Sequence, residues 1–254
     1  MTDEIKVAIA DGIHTIRFDR VAKKNALYSA MYVALRQALE AAERNPAVAV
    51  HVFEGAPGVF TAGNDIGEFL SGGAGLAQPT VDFLRLLPVI EKPMIAAVDG
   101  LAVGIGTTLL LHCDLAYASP RATFRTPFLD LGVVPEAGSS LLAPRRLGYQ
   151  RAFELLVLGA TWSAAEAERY GLLNAVVPEA DLASRVRETA LKLAAKPPAA
   201  LAAARRLMKG DAAAVRAQVD AEVALFAERL ASPEAKEAFA AFLEKRPPRF
   251  ATGH

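Results

Sequence analysis

The chain has 254 residues with 28 basic and 28 acidic side chains, and a formal net charge of +0 argues against a general nucleic-acid binder. Hydrophobic residues make up 53% and charged residues 22%, enough aliphatic material for a core and too little charge bias for disorder. A single cysteine excludes an internal disulfide, no Cys/His cluster offers a metal site, and no apolar run approaches the ~18–20 residues of a bilayer span. No basic-then-apolar leader opens the sequence, so a reducing, cytoplasmic compartment without membrane or nucleic-acid partners is the expectation.

In chain order, Ile5, Val7 and Ile9 alternate, then Ile13, Thr15, Ile16 and Phe18, with Asp11-Gly12 between them, which predicts a hairpin. Ser29 is read as the cap of a helix reaching Arg44, with Met31, Val33, Leu35 and Leu39 as its apolar positions. Strands are expected at Val48 to Phe53, Met94 to Val98 and Asp114 to Tyr117, with a glycine-punctuated helix from Gly104 to Leu111. Strand and helix alternate, so the fold class is α/β with a largely parallel sheet. Ser71-Gly72-Gly73-Ala74-Gly75 reads as a mobile loop. From about Asp181 alanine, leucine, arginine and glutamate dominate, which predicts a helical tail. Its last helices, Asp211 to Leu230 and Pro233 to Lys245, carry Val215, Val219, Val223, Phe226, Phe239, Phe242 and Leu243. This apolar stripe can be buried on the chain's own sheets or on a neighbouring subunit.

Several common sites are missing. Gly104 and Gly106 could open a dinucleotide fingerprint, but Leu109 stands where its third glycine belongs. There is no GxxxxGK[ST] loop and no GxSxG elbow around Ser139 or Ser140. Cys113 is expected as a buried thiol, and His14, His51 and His112, which share no ligand spacing, as strand or surface residues. Two glycine-bearing turns remain, each after a strand: Val59 to Ile66, where Gly63 permits close backbone approach and Asp65 can cap a helix, and Asp99 to Gly106. They are either ordinary strand-to-helix turns or a pair of backbone N–H donors for a developing oxyanion.

Four ordered blocks resolve that choice by resemblance: Asp19 to Leu27, Phe60 to Ile66, Lys92 to Gly100 with its glycine turn, and Phe242 to Arg246 at the far end. Together they resemble the enoyl-CoA hydratase/isomerase (crotonase) superfamily over nearly the whole chain. The resemblance implies a crotonase-like spiral of ββα units over residues 1–195 and a helical oligomerisation region over 196–254. It implies an acyl-CoA thioester as substrate, no cofactor beyond the coenzyme A that substrate carries, a role in lipid metabolism, and a trimer or dimer of trimers. The oxyanion hole is expected on the backbone N–H groups of Asn64 and Ile105, within the Gly63, Asp65, Ile66 and Gly104 turns. Ala62 and the loop of Ala22, Lys23 and Lys24 are expected near the adenine and pantetheine, and Phe242 and Lys245 near the coenzyme A of an adjacent subunit. The acyl pocket is expected between the Leu70 to Leu87 segment and Phe128.

Where hydratases of the family carry their two acting glutamates, this chain has Thr108 and Phe128. Neither has a usable acid/base group, which disfavours simple hydration. One acid does appear, in Leu131-Gly132-Val133-Val134-Pro135-Glu136-Ala137-Gly138, and that stretch is similar to peroxisomal-type Δ3,Δ2-enoyl-CoA isomerases, whose equivalent glutamate is the single base. Apolar neighbours such as Val133, Val134 and Leu141 are expected to raise its pKa. The alternative for Glu136 is a surface glutamate capping the helix that begins near Gly138. The expected activity is the shift of a 3-enoyl-CoA double bond to the 2-position. Its alternatives are another oxyanion-hole reaction on acyl-CoA, hydration included, and an idle acyl-CoA-binding scaffold.

Overall fold

The structure, a computed structural model, describes residues 2–71 and 75–250. The core of the glycine-rich loop read at Ser71 to Gly75 falls outside the described residues. The first half of the chain runs β1 (Ile5–Ala10), β2 (Ile13–Phe18), α1 (Ser29–Arg44), β3 (Val50–Gly55), β4 (Val59–Thr61), α2 (Ile66–Ser71), α3 (Gln78–Leu86), β5 (Met94–Val98), β6 (Leu101–Val103), α4 (Ile105–Thr108), β7 (Leu115–Ala118) and β8 (Thr123–Arg125). The second half runs α5 (Ser139–Leu147), α6 (Tyr149–Leu156), β9 (Trp162–Ser163), α7 (Ala164–Arg169), β10 (Ala175–Val176), α8 (Glu179–Ala194), α9 (Pro198–Lys209), α10 (Ala212–Leu230) and α11 (Pro233–Glu244).

β1 and β2 form the expected antiparallel hairpin, with Asp11 and Gly12 both at positive φ in its turn. The reading of Ser29 as a cap is corrected. Tyr28 holds that place, and the Ser29 N–H donates to both carboxylate oxygens of Glu68, at 3.0 and 2.9 Å. Beyond the hairpin the pattern repeats. β3, β5 and β7 lie parallel in a sheet ordered β1-β2-β3-β5-β7-β10, while the strands that follow them, β4, β6 and β8, run parallel in a second sheet ordered β4-β6-β8-β9. Each repeat is therefore a strand, a sharp turn, a strand of the other sheet and a helix, the expected ββα unit. Every residue of β5 is buried, as a strand covered on both faces requires.

Close stacking of the repeats explains two residues. Gly100 has φ +78°, and a Cβ there would stand 1.8 Å from the Gly58 carbonyl oxygen. Asp99 ties the repeats together by accepting from the Arg121 guanidinium, from the Ser119 hydroxyl at 2.6 Å and from the Gly58 N–H at 2.7 Å. Arg121 first, with those two donors, holds its carboxyl down to about 2 against the effect of partial burial.

The helical region folds onto its own chain. α8 sets Leu182, Val186 and Ala190 against Val50, Val52 and Ile95 of the larger sheet, and the expected boundary at 195/196 falls between α8 and α9. Val219, Phe226 and Leu230 of α10 and Phe239 of α11 join the main core with Ile105, Leu109 and Phe128. α9 instead presents Leu207 and Met208 to solvent, 84% and 89% exposed. Among the described residues no helix is long and apolar enough to cross a membrane. Cys113 is buried as expected, and burial pushes its thiol up to about 12. His14, His51 and His112 are all buried: His14 and His51 meet Nδ1 to Nδ1 at 2.9 Å on neighbouring strands, and His112 is not a surface residue.

Candidate active site

The two glycine turns come together because β4 and β6 are neighbours. Gly63, at φ +86°, runs so close to the second turn that a Cβ would stand 2.7 Å from the Val103 carbonyl oxygen. Leu27 fixes the first turn from the other side, its N–H donating to the Gly63 oxygen and its carbonyl accepting from Asp65 N–H, both at 2.7 Å. Asn64 thereby points its own N–H away from Leu27. Ile105 is the first residue of α4, where an N–H has no intrahelical acceptor. Among the described residues neither N–H has a hydrogen-bond partner. Asp65 caps α2 as expected, accepting from Gly67 N–H at 2.9 Å and from Arg20 at 2.7 Å. Partial burial opposes its ionisation, but Arg20 and that N–H hold its carboxyl below the usual range.

A cleft of about 550 Å³ opens on these turns. Ala62, Gly63, Asn64, Ile66, Gly104, Ile105 and Phe128, all expected at the site, line it, and Val133, Phe226 and Phe239 complete its apolar wall. Phe242 lines it too, from α11 of the same chain, where the expectation had turned this residue toward an adjacent subunit. Ala22, Lys23 and Lys24 do not face the cleft. They form an exposed turn at its rim, joined to it by the Ala62 N–H donating to the Lys24 carbonyl at 2.9 Å. Lys245 ends α11 in the left-handed region, exposed and off the cleft wall, next to Arg246, which does line it. The Leu70 to Leu87 segment does not line the cleft among the described residues, because α3 turns Val81, Phe83 and Leu84 into the core.

Glu136 is 1% exposed, which excludes a surface helix cap. It does not line the cleft, and its carboxyl is surrounded by groups from three elements. Thr108, one turn along α4 from Ile105, donates its hydroxyl to Oε1 at 2.6 Å. Tyr32 of α1 feels the Glu136 charge, and with burial as the larger cause its phenol is held well above the usual range. Glu222 of α10 lies on the third side. Oε2 has no partner among the described residues. Burial pushes the Glu136 carboxyl up to about 8, with the Thr108 hydroxyl pulling it down and the Glu222 charge adding to the rise. The Tyr32 hydroxyl in turn donates to the Asn64 side-chain oxygen, linking the carboxyl's surroundings to the first turn.

The cap of α5 is supplied by a residue that sequence reading missed. Glu222 accepts from Gly138 N–H at 2.6 Å, from Ser140 N–H at 2.9 Å and from the Ser140 hydroxyl. A signal existed: Glu222 stands three residues after Val219 and four before Phe226, on the buried stripe of α10, where a charge needs a reason. Tyr32 carried no comparable signal, since a tyrosine on the apolar face of a helix is ordinary core material.

The family described as Enoyl-CoA hydratase/isomerase matches residues 8–253. The chain is 39% identical over 201 residues to 4-chlorobenzoyl coenzyme A dehalogenase-2 of Arthrobacter sp, covering 76% of this chain and 73% of that protein. It is 36% identical over 252 residues to enoyl-CoA delta isomerase 2 of Rattus norvegicus, covering 96% of this chain and 64% of the relative. The crystal structure of an enoyl-CoA hydratase/isomerase from Pseudoalteromonas atlantica T6c superposes with a TM-score of 0.93 at 36% identity, covering 98% of this chain and 100% of that one.

Proposed function

The chain belongs to the enoyl-CoA hydratase/isomerase family, and from that premise we propose that it moves the double bond of a 3-enoyl-CoA to the 2-position with Glu136 as its only acid/base group. The carrying observation is a buried carboxyl with one unpartnered oxygen, its other oxygen bonded to Thr108, which stands one helical turn along α4 from the free Ile105 N–H. In this reading the thioester oxygen accepts from the N–H groups of Asn64 and Ile105. Glu136 takes a proton from C2, the electron pair delocalises into a dienolate whose charge those N–H groups stabilise, and the carboxylic acid returns the proton to C4. The bond between C3 and C4 becomes single, that between C2 and C3 becomes double, and no water enters the balance.

Other family chemistries fit this site less well. Hydration needs an activated water as well as a proton donor. Thr108 has its hydroxyl committed to Glu136, and Phe128 puts a ring on the cleft wall. An idle scaffold has no use for a buried carboxyl oxygen without a partner, which costs ~1–3 kcal/mol or more. Coenzyme A is carried in on the substrate. Its phosphates are assigned to the exposed Lys23, Lys24 and Lys245, where an ammonium acts as a point charge.

The test is a spectrophotometric comparison of purified protein on 3-enoyl-CoA and 2-enoyl-CoA of several chain lengths. Isomerisation is expected to outrun hydration and to depend on Glu136. Hydration that is indifferent to Glu136→Gln overturns the reading, and binding of the esters without turnover favours the scaffold.

A further inference from the structure

The turn that carries Glu136 is unusual in its backbone. Ala137 has φ +61° and Gly138 φ +69°, two consecutive left-handed residues, and Ala137 has a side chain that disfavours that region. Ala137 is completely buried, so solvent does not stabilise the turn. Such a conformation persists only where the surroundings over-determine it.

Three contacts do so here. Thr108 holds the Glu136 carboxyl from α4. His112, just beyond the 3₁₀ turn that continues α4, bonds the Ala137 carbonyl through Nε2 at 2.6 Å. Burial first, with the Lys209 and Arg205 charges, pushes His112 down to about 3, so the ring is neutral and the carbonyl fixes the proton on Nε2. The third contact is the Glu222 carboxylate of α10, 5% exposed, which receives the N–H groups on both sides of Ser139 and the Ser140 hydroxyl. The first two contacts come from the ββα core. Only Glu222 comes from the helical region, more than eighty residues away in sequence.

We propose that Glu222 is a positioning residue for Glu136: by capping α5 it locks the left-handed turn and sets the direction and the charge environment of the buried carboxyl, so that α10 is a working part of the active site in its own chain. The inference rests on Glu136 being the proton-transfer group. Glu222 also carries a charge toward Glu136, and removing it lowers the Glu136 pKa. The titratable groups around Glu136 are Glu222 on α10, Tyr32 on α1 and, through Tyr32, Glu68 on α2.

The experiment compares wild type with Glu222→Gln, Glu222→Asp and Glu222→Ala in the full-length protein. It reads the pH dependence of kcat and KM on 3-enoyl-CoA, and the titration of the Glu136 carboxyl by carbon-13 NMR, identified by its loss in Glu136→Gln. Glu222→Gln is expected to shift both midpoints to lower pH. Glu222→Ala is expected to lose ~10²-fold in kcat with KM little changed, since a displacement of about 1 Å costs that much. Glu222→Asp, which keeps the charge, is expected to retain the wild-type midpoint. If Glu222→Gln and Glu222→Ala only lower the unfolding temperature and leave the NMR midpoint and kcat in place, Glu222 is structural and the proposal is overturned. The NMR titration needs no turnover, so a wild type that fails to isomerise overturns the functional reading while the effect of Glu222 on Glu136 is still read.

Discussion

A carboxyl held at about 8 has both its forms within reach near neutral pH, and a proton shuttle needs both. Glu136→Gln keeps the shape and removes the proton. It is expected to bind acyl-CoA nearly as wild type and to lose ~10²–10⁴ in kcat, measured by titration calorimetry alongside the isomerisation assay. With the carboxylate as the proposed base, the wild-type rate is expected to climb with pH through about 8. Thr108→Val removes the one hydrogen bond that lowers this pKa and should carry the rise to higher pH; an unmoved profile refutes the role given to Thr108. The same shift bears on stability. The fold prefers the protonated form, with a value of about 8 against 4.5 ordinarily, so the carboxyl costs increasing stability as pH rises between those values. Glu136→Gln should therefore gain in melting temperature over wild type from about pH 5 to about pH 9, and a constant difference across that range contradicts the shift. Glu136 was singled out because the stretch Leu131 to Gly138 resembles that of the isomerases, and its burial, expected from the valines around it, is what the structure shows. Thr108 was read only as a missing glutamate, since a hydroxyl announces no partner until the chain is folded.

Among the α-helices, α4 is the shortest and the most consequential. Ile105 is its first residue, a position where proline is tolerated because no intrahelical bond uses that N–H, and Gly104 before it has φ +55° and ψ −120°, open to glycine. Ile105→Pro thus deletes one oxyanion donor at limited cost to the helix. Turnover is expected to fall by at least ~10²–10³, while Ile105→Val, which keeps the N–H, stays near wild type. A folded Ile105→Pro protein, checked by circular dichroism, with full activity refutes the oxyanion assignment. The hairpin, β3, β5, β7 and the last two tail helices were readable to within a few residues because their apolar patterns are regular, whereas the two- and three-residue strands of the second sheet and β10 are too short to show a period. The wall of the cleft was not. The segment expected there, around α3, is as apolar as any lining, and only the packing of α1 against it shows that Val81 and Leu84 serve the core. Phe226, Phe239 and Phe242 take that place from the other end of the sequence.

At the scale of the molecule, α9 leaves Leu207 and Met208 almost wholly in solvent, whereas α10 and α11 bury Val219, Phe226, Leu230 and Phe239 within the chain and leave Leu225, Phe242 and Leu243 exposed. If the expected trimer or dimer of trimers forms, α9 is the proposed contact, and light scattering at micromolar concentration should report three or six chains in wild type. Leu207→Glu with Met208→Glu should shift the protein toward the single chain; a wild-type monomer contradicts this assignment. Closing the cleft with α10 and α11 also has a consequence in time. During synthesis the ββα repeats leave the ribosome first and can fold first. A nascent chain exposed as far as α9 already holds Thr108, Glu136 and the Asn64 and Ile105 amides, yet lacks Phe226, Phe239 and Phe242 of the cleft wall and the Glu222 carboxylate that caps α5. On the proposed function, the site is therefore complete only once α10 and α11 have docked.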